Sequence, residues 1–389
     1  MKIAYLSANP LLNLASPSGY GTHMREMIKG LRALGHEVSP LIAGGTAIET
    51  LAQPGTGSAP KQLLRQLAPP FLWETAKDWR LKRFDGHMTT WFAEEINRMK
   101  PDLVYERGTY LQLAGHRVAQ QMKLPHIVEL NAPLAEEKAM LGRSSWFAKE
   151  AEAAERQLLQ GAAKIVVVSS RLVQHFSDKY QLPRDKFIIT PNAVDLDKVQ
   201  SSEASTTELR KQLGLENKVV LGFVGSIFPY HGVDLLIRAF DALQTGHPEL
   251  HLMIVGDGET LPELQELATK LNLNHKITFT GNVPHTEVFN HIALFDIAVL
   301  AKTKDYMSPI KVFEYGAMGV AIVAPSTTAV RDVIEDGRHG LLIGEEQTLE
   351  GRLKELIDNQ KLREQIGKSF QEKVLEEHTW QRMAEKVLA

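Results

Sequence analysis

The sequence of 389 residues contains no cysteine. This absence excludes disulfide bonds, thiolate metal sites and cysteine nucleophiles, although it leaves the redox compartment open. An excess of charge is also missing, because 44 Lys and Arg against 47 Asp and Glu leave a formal net charge of -3. We therefore expect no polyanionic partner and no binding of nucleic acid.

Long hydrophobic runs are scarce as well. The longest uncharged stretch near the C-terminus runs from Tyr315 to Val330, and Gly, Pro and Thr interrupt it, so it does not predict a membrane span. The N-terminal segment "MKIAYLSANP" lacks the basic region and the long apolar run of a secretion signal. Together these absences predict a cytoplasmic protein.

Short β-branched runs alternate with amphipathic stretches along the whole chain, which is typical of parallel sheets covered by helices. The predicted strands of the first half are "KIAYLS", "EVSPLI", "DLVYER", "HIVELN", "KIVVVSS" and "KFIITPN". Those of the second half are "VVLGFVGS", "LHLMIVGDG", "KITFTGN", "DIAVLA", "VAIVAP" and "HGLLIG". A chain of this length predicts an α/β protein with two doubly wound, Rossmann-like domains facing a central cleft. The polar stretch 195–218 is the best linker candidate.

Residues 59–83 depart from this alternation. Basic residues outnumber acidic ones there, and Phe71, Trp73 and Trp79 lie between them. The segment is either a helix pair packed on the domain or a surface that touches an anionic membrane or a lipid-linked acceptor. Pro69 and Pro70 should break a long amphipathic helix, which favours the first interpretation. A weak peripheral contact with the inner membrane face stays open as the alternative.

The segment "SPIKVFEYGAMG", residues 308–319, follows the predicted strand "DIAVLA". Ser308 is a good N-cap residue and Pro309 suits the first helical position, so a helix should begin there. A helix N-terminus at the carboxyl edge of a parallel sheet favours anions, and Lys311 strengthens this preference for a phosphate group. Lys311 and Glu314 share one helix face, and a local salt bridge between them is the alternative interpretation.

Two further glycine-containing loops follow predicted strands. In "GFVGSIFPYHGVDLLIRAF", residues 222–240, Gly225 precedes a short loop that suits the backbone approach of a diphosphate, and His231 could add positive charge. Such turns are also needed for packing alone, and the same caution applies to "GDGE" at 256–259. In "SPSGYGTH", Gly19 and Gly21 open the first helix but do not complete G-x-G-x-x-G. Dinucleotide binding is therefore disfavoured.

Signals for a metal or a further cofactor are weak. No Walker-type G-x-x-x-x-G-K-[ST] motif occurs, and no cluster of His, Glu and Asp has convincing metal-ligand spacing. The triplet "DLD" at 195–197 lies at the predicted linker, where such triplets are mostly accidental. We expect neither a metal nor a cofactor.

Taken together, "SGYGTHMREMIKGLRALGHEV", "VVVSSRLVQHF", "IITPNAVD", "FVGSIFPYHGVDLLIRAF", "LMIVGDGE", "ITFTGNVPHTEVF", "SPIKVFEYGAMGVAIVAP" and "HTWQRMAEKVL" resemble the family 4 retaining glycosyltransferases of the GT-B fold. The resemblance implies an acceptor domain at 1–196 and a donor domain at 197–375, with residues 376–389 crossing back onto the first domain. It also implies a nucleotide-sugar donor and transfer to a sugar, glycan or glycolipid acceptor with retained anomeric configuration. Polysaccharide or glycolipid biosynthesis is the usual role of such relatives.

The resemblance assigns donor-binding roles residue by residue. Glu314 matches the second Glu of the family's paired-glutamate motif, which binds the ribose hydroxyls. The first Glu is replaced by Tyr306, so backbone amides near Met307 and Ser308 would contact the donor sugar, and Pro309 is a further donor-binding candidate beside them. The base would lie against backbone near "GNVP", which contains Val283.

The same comparison bears on catalysis. Ser226 and His231 occupy the places of the family's Arg and Lys, which leaves Lys311 as the replacement cation. Asn131 takes the place of a His in the catalytic region, and an amide can donate a hydrogen bond but cannot act as a base. The family's usual account is front-face substitution, in which the leaving diphosphate accepts the acceptor's proton and the protein stabilises charge, here also through Gly19 and Gly21.

Arg107 and Glu129 are candidates for the acceptor side, because both lie at the ends of predicted strands. A salt bridge of Arg107 with Glu106 or a neighbour is the alternative. Two other functions stay open. A GT-B nucleotide-sugar 2-epimerase would need acid and base side chains near the sugar. Few His and carboxylate residues occur at the matching positions, which argues against this function. A non-catalytic nucleotide-sugar binder is suggested by the missing first Glu.

Overall fold

The computed structural model describes residues 1–16, 18–47, 69–200 and 206–389. The chain divides into two compact units, Met1–Thr190 with Met383–Ala389, and Pro191–Arg382. The sequence placed this division at residue 196 and the return of the chain at residue 376. Residues 59–68 of the basic insertion 59–83 lie outside the described residues, so its predicted helix pair stays a prediction, as does the cleft between the domains.

The first unit contains a six-stranded parallel sheet in the order β2-β1-β3-β4-β5-β6. All six strands predicted for the first half are present. Their bounds are β1 Lys2–Ser7, β2 Glu37–Ile42, β3 Leu103–Arg107, β4 His126–Glu129, β5 Lys164–Val167 and β6 Phe187–Ile189. The central strands are buried on both faces, as expected where helices cover both sides of a parallel sheet. Their carboxyl ends therefore share one edge, where Arg107 and Glu129 lie.

Helices connect these strands. Their bounds are α1 Gly19–Ala33, α2 Pro70–Met99, α3 Ala114–Gln121, α4 Leu134–Met140, α5 Ala148–Gly161 and α6 Ser170–Tyr180. In the sequence, the spacing of Met24, Met27 and Leu31 predicts one apolar stripe along α1, and this prediction is confirmed because all three side chains are fully buried. The expectation that Pro69 and Pro70 prevent a long helix is wrong. Pro70 is the first residue of a helix of 30 residues, a position where the missing amide breaks no hydrogen bond.

The second unit contains another six-stranded parallel sheet, in the order β12-β11-β10-β7-β8-β9. The strands are β7 Val219–Val224, β8 Leu250–Val255, β9 Ile277–Gly281, β10 Ile297–Val299, β11 Ala321–Pro325 and β12 Leu341–Ile343. Residues of β7 alternate between two buried clusters, with Phe223 in one and Val224 in the other. This explains why the strand appears in the sequence as one continuous apolar run.

The helices of the second unit cover both faces of its sheet. They are α7 Leu196–Gln200, α8 Thr206–Gln212, α9 Val233–Gln244, α10 Leu261–Lys270, α11 Val288–Ile292, α12 Ile310–Ala317, α13 Thr328–Arg331, α14 Leu349–Asp358 and α15 Gln360–Glu377; α16, Trp380–Leu388, ends the chain. None of the helices described is both long and apolar enough to cross a membrane.

The predicted linker 195–218 is part of the second unit and carries two of its helices. Leu215 is fully buried, and Arg210 forms an ion pair of 2.8 Å with Asp296. Arg210 also donates a hydrogen bond of 2.7 Å to the carbonyl of Lys218. This segment has a polar sequence, but contacts such as the Arg210–Asp296 ion pair hold it on the second unit. The interpretation of 195–218 as a linker was therefore wrong.

Candidate functional site

The loop after β7 lies against the loop after β8, and glycines make this approach possible. Gly225 has φ +124° and Gly256 has φ +129°, a region that residues with a side chain rarely adopt. A Cβ at Gly256 would lie 2.2 Å from the carbonyl oxygen of Gly225. The amide of Ile227 donates a hydrogen bond of 2.9 Å to the carbonyl of Asp257. The glycines of "FVGS" and "VGDG" are therefore required by the packing of backbone on backbone.

Lys311 lies directly beside this loop. A Cβ at Gly225 would lie 2.9 Å from its Nζ, and that Nζ is 4.0 Å from the centroid of the Phe223 ring. The Lys311 side chain is buried, and its ammonium has no hydrogen-bond partner among the described residues. Burial lowers the pKa of Lys311 to about 7, against the opposing effect of Glu314. An ammonium in this position is costly unless an anion compensates it.

Glu314 lies one turn further along α12. Burial raises the pKa of Glu314 to about 7, although Lys311 and Lys198 lower it. Because the Lys311 ammonium has no hydrogen-bond partner within the described chain, Glu314 does not hold it, and the interpretation of the pair as a local salt bridge fails. Both groups are kept on one helix face without neutralising each other, which is the arrangement expected of groups that bind a ligand.

The start of α12 differs from the prediction. Pro309 is the N-cap residue, and no side chain caps the helix. The buried hydroxyl of Ser308 accepts a hydrogen bond of 3.0 Å from the amide of Asn192 instead, and the Asn192 side chain donates to the Ser308 carbonyl. Ser308 therefore anchors the entry of the chain into the second unit. The cap prediction was wrong because this contact joins residues 116 positions apart.

The amide of Met307 was expected to contact the donor sugar. It donates a hydrogen bond of 3.1 Å to the carbonyl of Lys304 and closes a turn. Tyr306, at the place of the first Glu, is partly buried, and the Lys304 ammonium lies 5.8 Å from the centroid of its ring. The Met307 amide is thus committed within the protein, and the prediction for this amide is corrected.

His231 was expected to add positive charge. It is buried, and its Nδ1 lies 2.7 Å from the carbonyl oxygen of Ser226, an acceptor that requires a proton on Nδ1. Burial, with the nearby charge of Lys311, lowers the pKa of His231 to about 3. The ring is therefore neutral near pH 7, and the expectation of charge is wrong. Its hydrogen bond holds the exposed Ser226 in the loop after Gly225.

The remaining donor-side candidate is Val283, in the loop after β9. The carbonyl of Gly281 accepts a hydrogen bond of 3.0 Å from the amide of Gly256, so this loop adjoins the two glycine loops. Val283 itself is partly buried against the core of the second unit. The second unit thus brings the loops of Gly225, Gly256 and Gly281 to one edge of its sheet, together with Lys311.

In the first unit, Glu129 is the centre of a polar cluster. Its carboxylate is fully buried, forms an ion pair with Arg107 and contacts Nε2 of His23. Tyr105 donates a hydrogen bond of 2.9 Å to one oxygen, and Asn131 donates one of 2.6 Å to the other. Burial by itself would raise the pKa of Glu129, but His23 and Arg107 hold it well below its usual range. The structure therefore brings two predicted residues, Arg107 and Asn131, together around the carboxylate of a third, Glu129.

His23 was missed by the sequence analysis. It lies on α1 two residues after Gly21, where a Cβ would lie 2.3 Å from the carbonyl oxygen of Ser16. Gly19, the first residue of α1, has no such contact, since the space beside it is open to 4 Å. The only sequence signal for a functional role of His23 is its position in the glycine-rich segment "SPSGYGTH". Glu106 bonds His126 at 2.8 Å and not Arg107, so the predicted salt bridge of Arg107 is formed with a neighbour, Glu129.

No three His, Asp or Glu side chains are grouped so as to hold a metal ion in the part of the chain that the structure describes.

Two Rossmann-like units of this construction define the GT-B fold. The family model for glycosyl transferases group 1 matches residues 205–373, and the model for glycosyltransferase family 4 matches residues 17–198. The chain therefore belongs to the family 4 glycosyltransferases.

Curated relatives agree with this assignment, and a solved structure agrees with the fold. Alpha-D-kanosaminyltransferase of Streptomyces kanamyceticus is 28% identical over 219 residues, which are 56% of each chain. A GDP-mannose-dependent mannosyltransferase of Mycolicibacterium smegmatis is 28% identical over 39% of this chain and 42% of its own length. The chain thus spans about half the length of these curated relatives. The structure of HepE from Anabaena with UDP-glucose has a TM-score of 0.72 at 19% identity, covering 100% of this chain and 98% of that one.

Proposed function

We propose that this chain is a retaining glycosyltransferase that moves a sugar from a nucleoside-diphosphate-sugar to a hydroxyl acceptor. The observation that carries the proposal is the buried, unpartnered ammonium of Lys311 beside Gly225. A diphosphate is the group that would compensate this charge at a glycine loop. The structures of HepE in complex with UDP and with UDP-glucose support a donor of this class.

In the proposed reaction, the bond between the anomeric carbon and the diphosphate oxygen breaks, while the acceptor oxygen bonds to the same face of that carbon. The leaving diphosphate accepts the proton of the acceptor hydroxyl. Lys311 stabilises the negative charge that develops on the diphosphate, and binding this anion favours the protonated form of its amine. Glu314 accepts hydrogen bonds from the ribose hydroxyls. Because Lys311 supplies the positive charge, we infer that no metal ion is needed.

Asn131 is the acceptor-side residue that this proposal uses. Its Nδ2 is committed to Glu129, but its buried Oδ1 has no hydrogen-bond partner among the described residues. A substrate hydroxyl that donates to Oδ1 would satisfy this atom and orient the substrate. Glu129 is a positioning residue, because its bonds fix Asn131, Arg107 and His23.

The alternatives differ in their products. A transferase forms a glycoside, a nucleotide-sugar 2-epimerase inverts a donor carbon, and a binder changes nothing. Incubation with UDP- and GDP-sugars and candidate acceptors, followed by NMR of the anomeric protons, separates the three. We expect a new glycoside with the donor's anomeric configuration. A rate of glycoside formation that EDTA does not change would support metal independence. An epimerised donor without a glycoside would overturn the proposal.

We also propose that the first unit makes weak contact with the inner membrane face. Trp79 on α2, Met140, Leu141 and Trp146 are between 50% and 82% exposed. Trp146 packs edge-on against Phe71 of α2 at 5.7 Å, so the two segments adjoin. The exposed Arg80, Arg83 and Arg143 flank these apolar side chains. Aromatic and basic residues in this combination suit an anionic interface that carries a lipid-linked acceptor.

A further inference from the structure

His116 on α3 is a buried side chain with unsatisfied hydrogen-bonding groups. It is 1% exposed, and neither ring nitrogen has a hydrogen-bond partner within the described residues. The nearest polar ring is that of His126, with centroids 5.8 Å apart, and His126 already bonds Glu106. Burial lowers the pKa of His116, so the ring is a neutral imidazole with one donor and one acceptor. A buried donor and a buried acceptor without hydrogen bonds both lower the stability of the fold.

The imidazole lies at the buried end of a groove. The groove has a volume of about 710 Å³ and lies between α3 and α5. This volume is within the range of about 300–1,000 Å³ that is usual for small-molecule sites. Gly161 ends α5 and makes room for the ring, since a Cβ there would lie 2.0 Å from Cε1 of His116. The groove is at the amino edge of the first sheet, because His126 begins β4 and Gly161 precedes β5.

The rim of the groove is polar and carries more positive than negative charge. Its side chains include Gln120, Gln157 and Gln160, with Lys149, Arg156 and Glu152. Glu152 is already paired with Lys179 at 3.2 Å, so its charge is partly compensated from outside the groove. The guanidinium of Arg156 lies 5.4 Å from the centroid of the Tyr180 ring, which limits its freedom. Two cations and three amides therefore surround the opening above a neutral imidazole.

We propose that this groove binds a sugar unit that carries an anionic group, at a site separate from the Lys311 loop. Amide side chains and a neutral imidazole donate to and accept from hydroxyl groups, while Lys149 and Arg156 bind the carboxylate or phosphate. The sugar's hydroxyls would satisfy the ring nitrogens of His116. Such a site suits an anionic glycan or a phosphorylated sugar held apart from the reacting groups.

The test uses the full chain and follows the ring nitrogens of His116 by NMR. Their signals are assigned by their loss in His116→Asn and, independently of how that variant folds, by the contact of the ring with His126. The probes are D-glucuronate and α-D-glucose 1-phosphate, which separate a carboxylate from a phosphate source. D-glucose and inorganic phosphate are the component controls.

We expect a saturable shift of the His116 signals with at least one anionic sugar. The double variant Lys149→Gln, Arg156→Gln should weaken this binding at least about tenfold, because both charge-assisted bonds are lost. Lys361→Gln, an exposed site on the second unit, is the matched control and should bind as the wild type does. Both sets of changes are on the surface, so the fold should persist.

Three results would overturn the proposal. The first is no saturable shift with either anionic sugar in the millimolar range, which would leave only ordered water at His116. The second is an equal response to glucose or phosphate alone. The third is unchanged affinity in the double variant. None of these results bears on the Lys311 loop, so this proposal and the proposed transferase activity can fail separately.

Discussion

The ammonium of Lys311 lies so close to Gly225 that a Cβ at that residue would be 2.9 Å from Nζ. One contact therefore links two features that are 86 residues apart in the sequence, a glycine turn after β7 and a charged residue at the start of α12. Because Gly225 has no side chain, the ammonium fits directly beside the loop, and it lies 4.0 Å from the centroid of the Phe223 ring. This relationship turns two weak motifs into one candidate anion site.

Gly225→Ala should abolish or severely weaken binding of a nucleoside diphosphate. The added methyl group would displace the Lys311 ammonium and strain a backbone with φ +124°. Gly337→Ala is a matched control, because Gly337 has φ +76° but open space around its missing side chain. Titration calorimetry should therefore show a loss of at least about tenfold for Gly225→Ala and native affinity for the control. Equal affinities would remove Gly225 from the site.

Lys311→Met should lower turnover by about 10²–10³-fold, the usual effect of removing one group that stabilises developing negative charge. The same change should stabilise the fold by about 1–4 kcal/mol at pH 7, since it replaces a buried charge by an apolar side chain. Steady-state kinetics and thermal unfolding measure the two effects. Lys361→Met, at an exposed site, should change neither. A slow but less stable variant would indicate a structural role for Lys311.

The stability of the second unit should also depend on pH through Lys311. The pKa falls from 10.5 to about 7 on folding, so the unfolded chain binds more protons between these values. This contribution therefore makes the fold more stable as pH rises from about 7 to 10.5. The difference in unfolding free energy between Lys311→Met and the wild type should shrink over that range. A difference that stays constant would mean that Lys311 is not buried as described.

Glu129→Gln should destabilise the first unit by about 3–5 kcal/mol at neutral pH, because Arg107 would lose its buried counterion and His23 its carboxylate partner. The folded-state pKa of Glu129 is lowered, so its contribution is present above the ordinary carboxyl range and is lost as pH falls through the folded value. Acid unfolding should thus be less steep in the variant. Tyr105→Phe, which removes one hydrogen bond to the same carboxylate, should cost only about 1 kcal/mol.

Binding to anionic vesicles should depend on the exposed apolar side chains of the first unit. Replacing Leu141 and Trp146 by Ser removes side chains that are 62% and 70% exposed and should reduce flotation with phosphatidylglycerol vesicles. Leu235→Ser, 44% exposed on the second unit, is the control. If the wild type does not float, or if the double variant floats equally well, the membrane proposal is wrong.

The sequence predicted what depends on local pattern. Apolar runs that alternate with amphipathic stretches located the twelve strands in the described part of the chain, and the apolar period of α1 located its buried face. The predictions that failed depend on distant contacts. The Ser308 hydroxyl bonds Asn192 instead of capping α12, and the polar segment around Arg210 packs because of Asp296. Asn192 and Asp296 are far along the chain from the residues they contact, so local sequence patterns could not predict these contacts.

The candidate site was predicted in part for the same reason. Lys311 and Glu314 were recognisable because they share a helix face behind a strand, whereas the charge of His231 could not be predicted without its burial. Residues 129 and 107 were singled out from strand ends, but their pairing and the role of His23 depend on three separate elements. Burial and partner identity are properties of the fold, and they decide which charged groups stay charged.

The central claim is that Lys311 belongs to a nucleoside-diphosphate site. The most direct test is a thermal-shift screen of the wild type and Lys311→Met against UDP, GDP, TDP, ADP and NAD, because a ligand that binds only the native state raises its apparent stability. We expect one nucleoside diphosphate to stabilise the wild type and to have little effect on the variant. Stabilisation by NAD alone, or an equal shift in both proteins, would contradict the account.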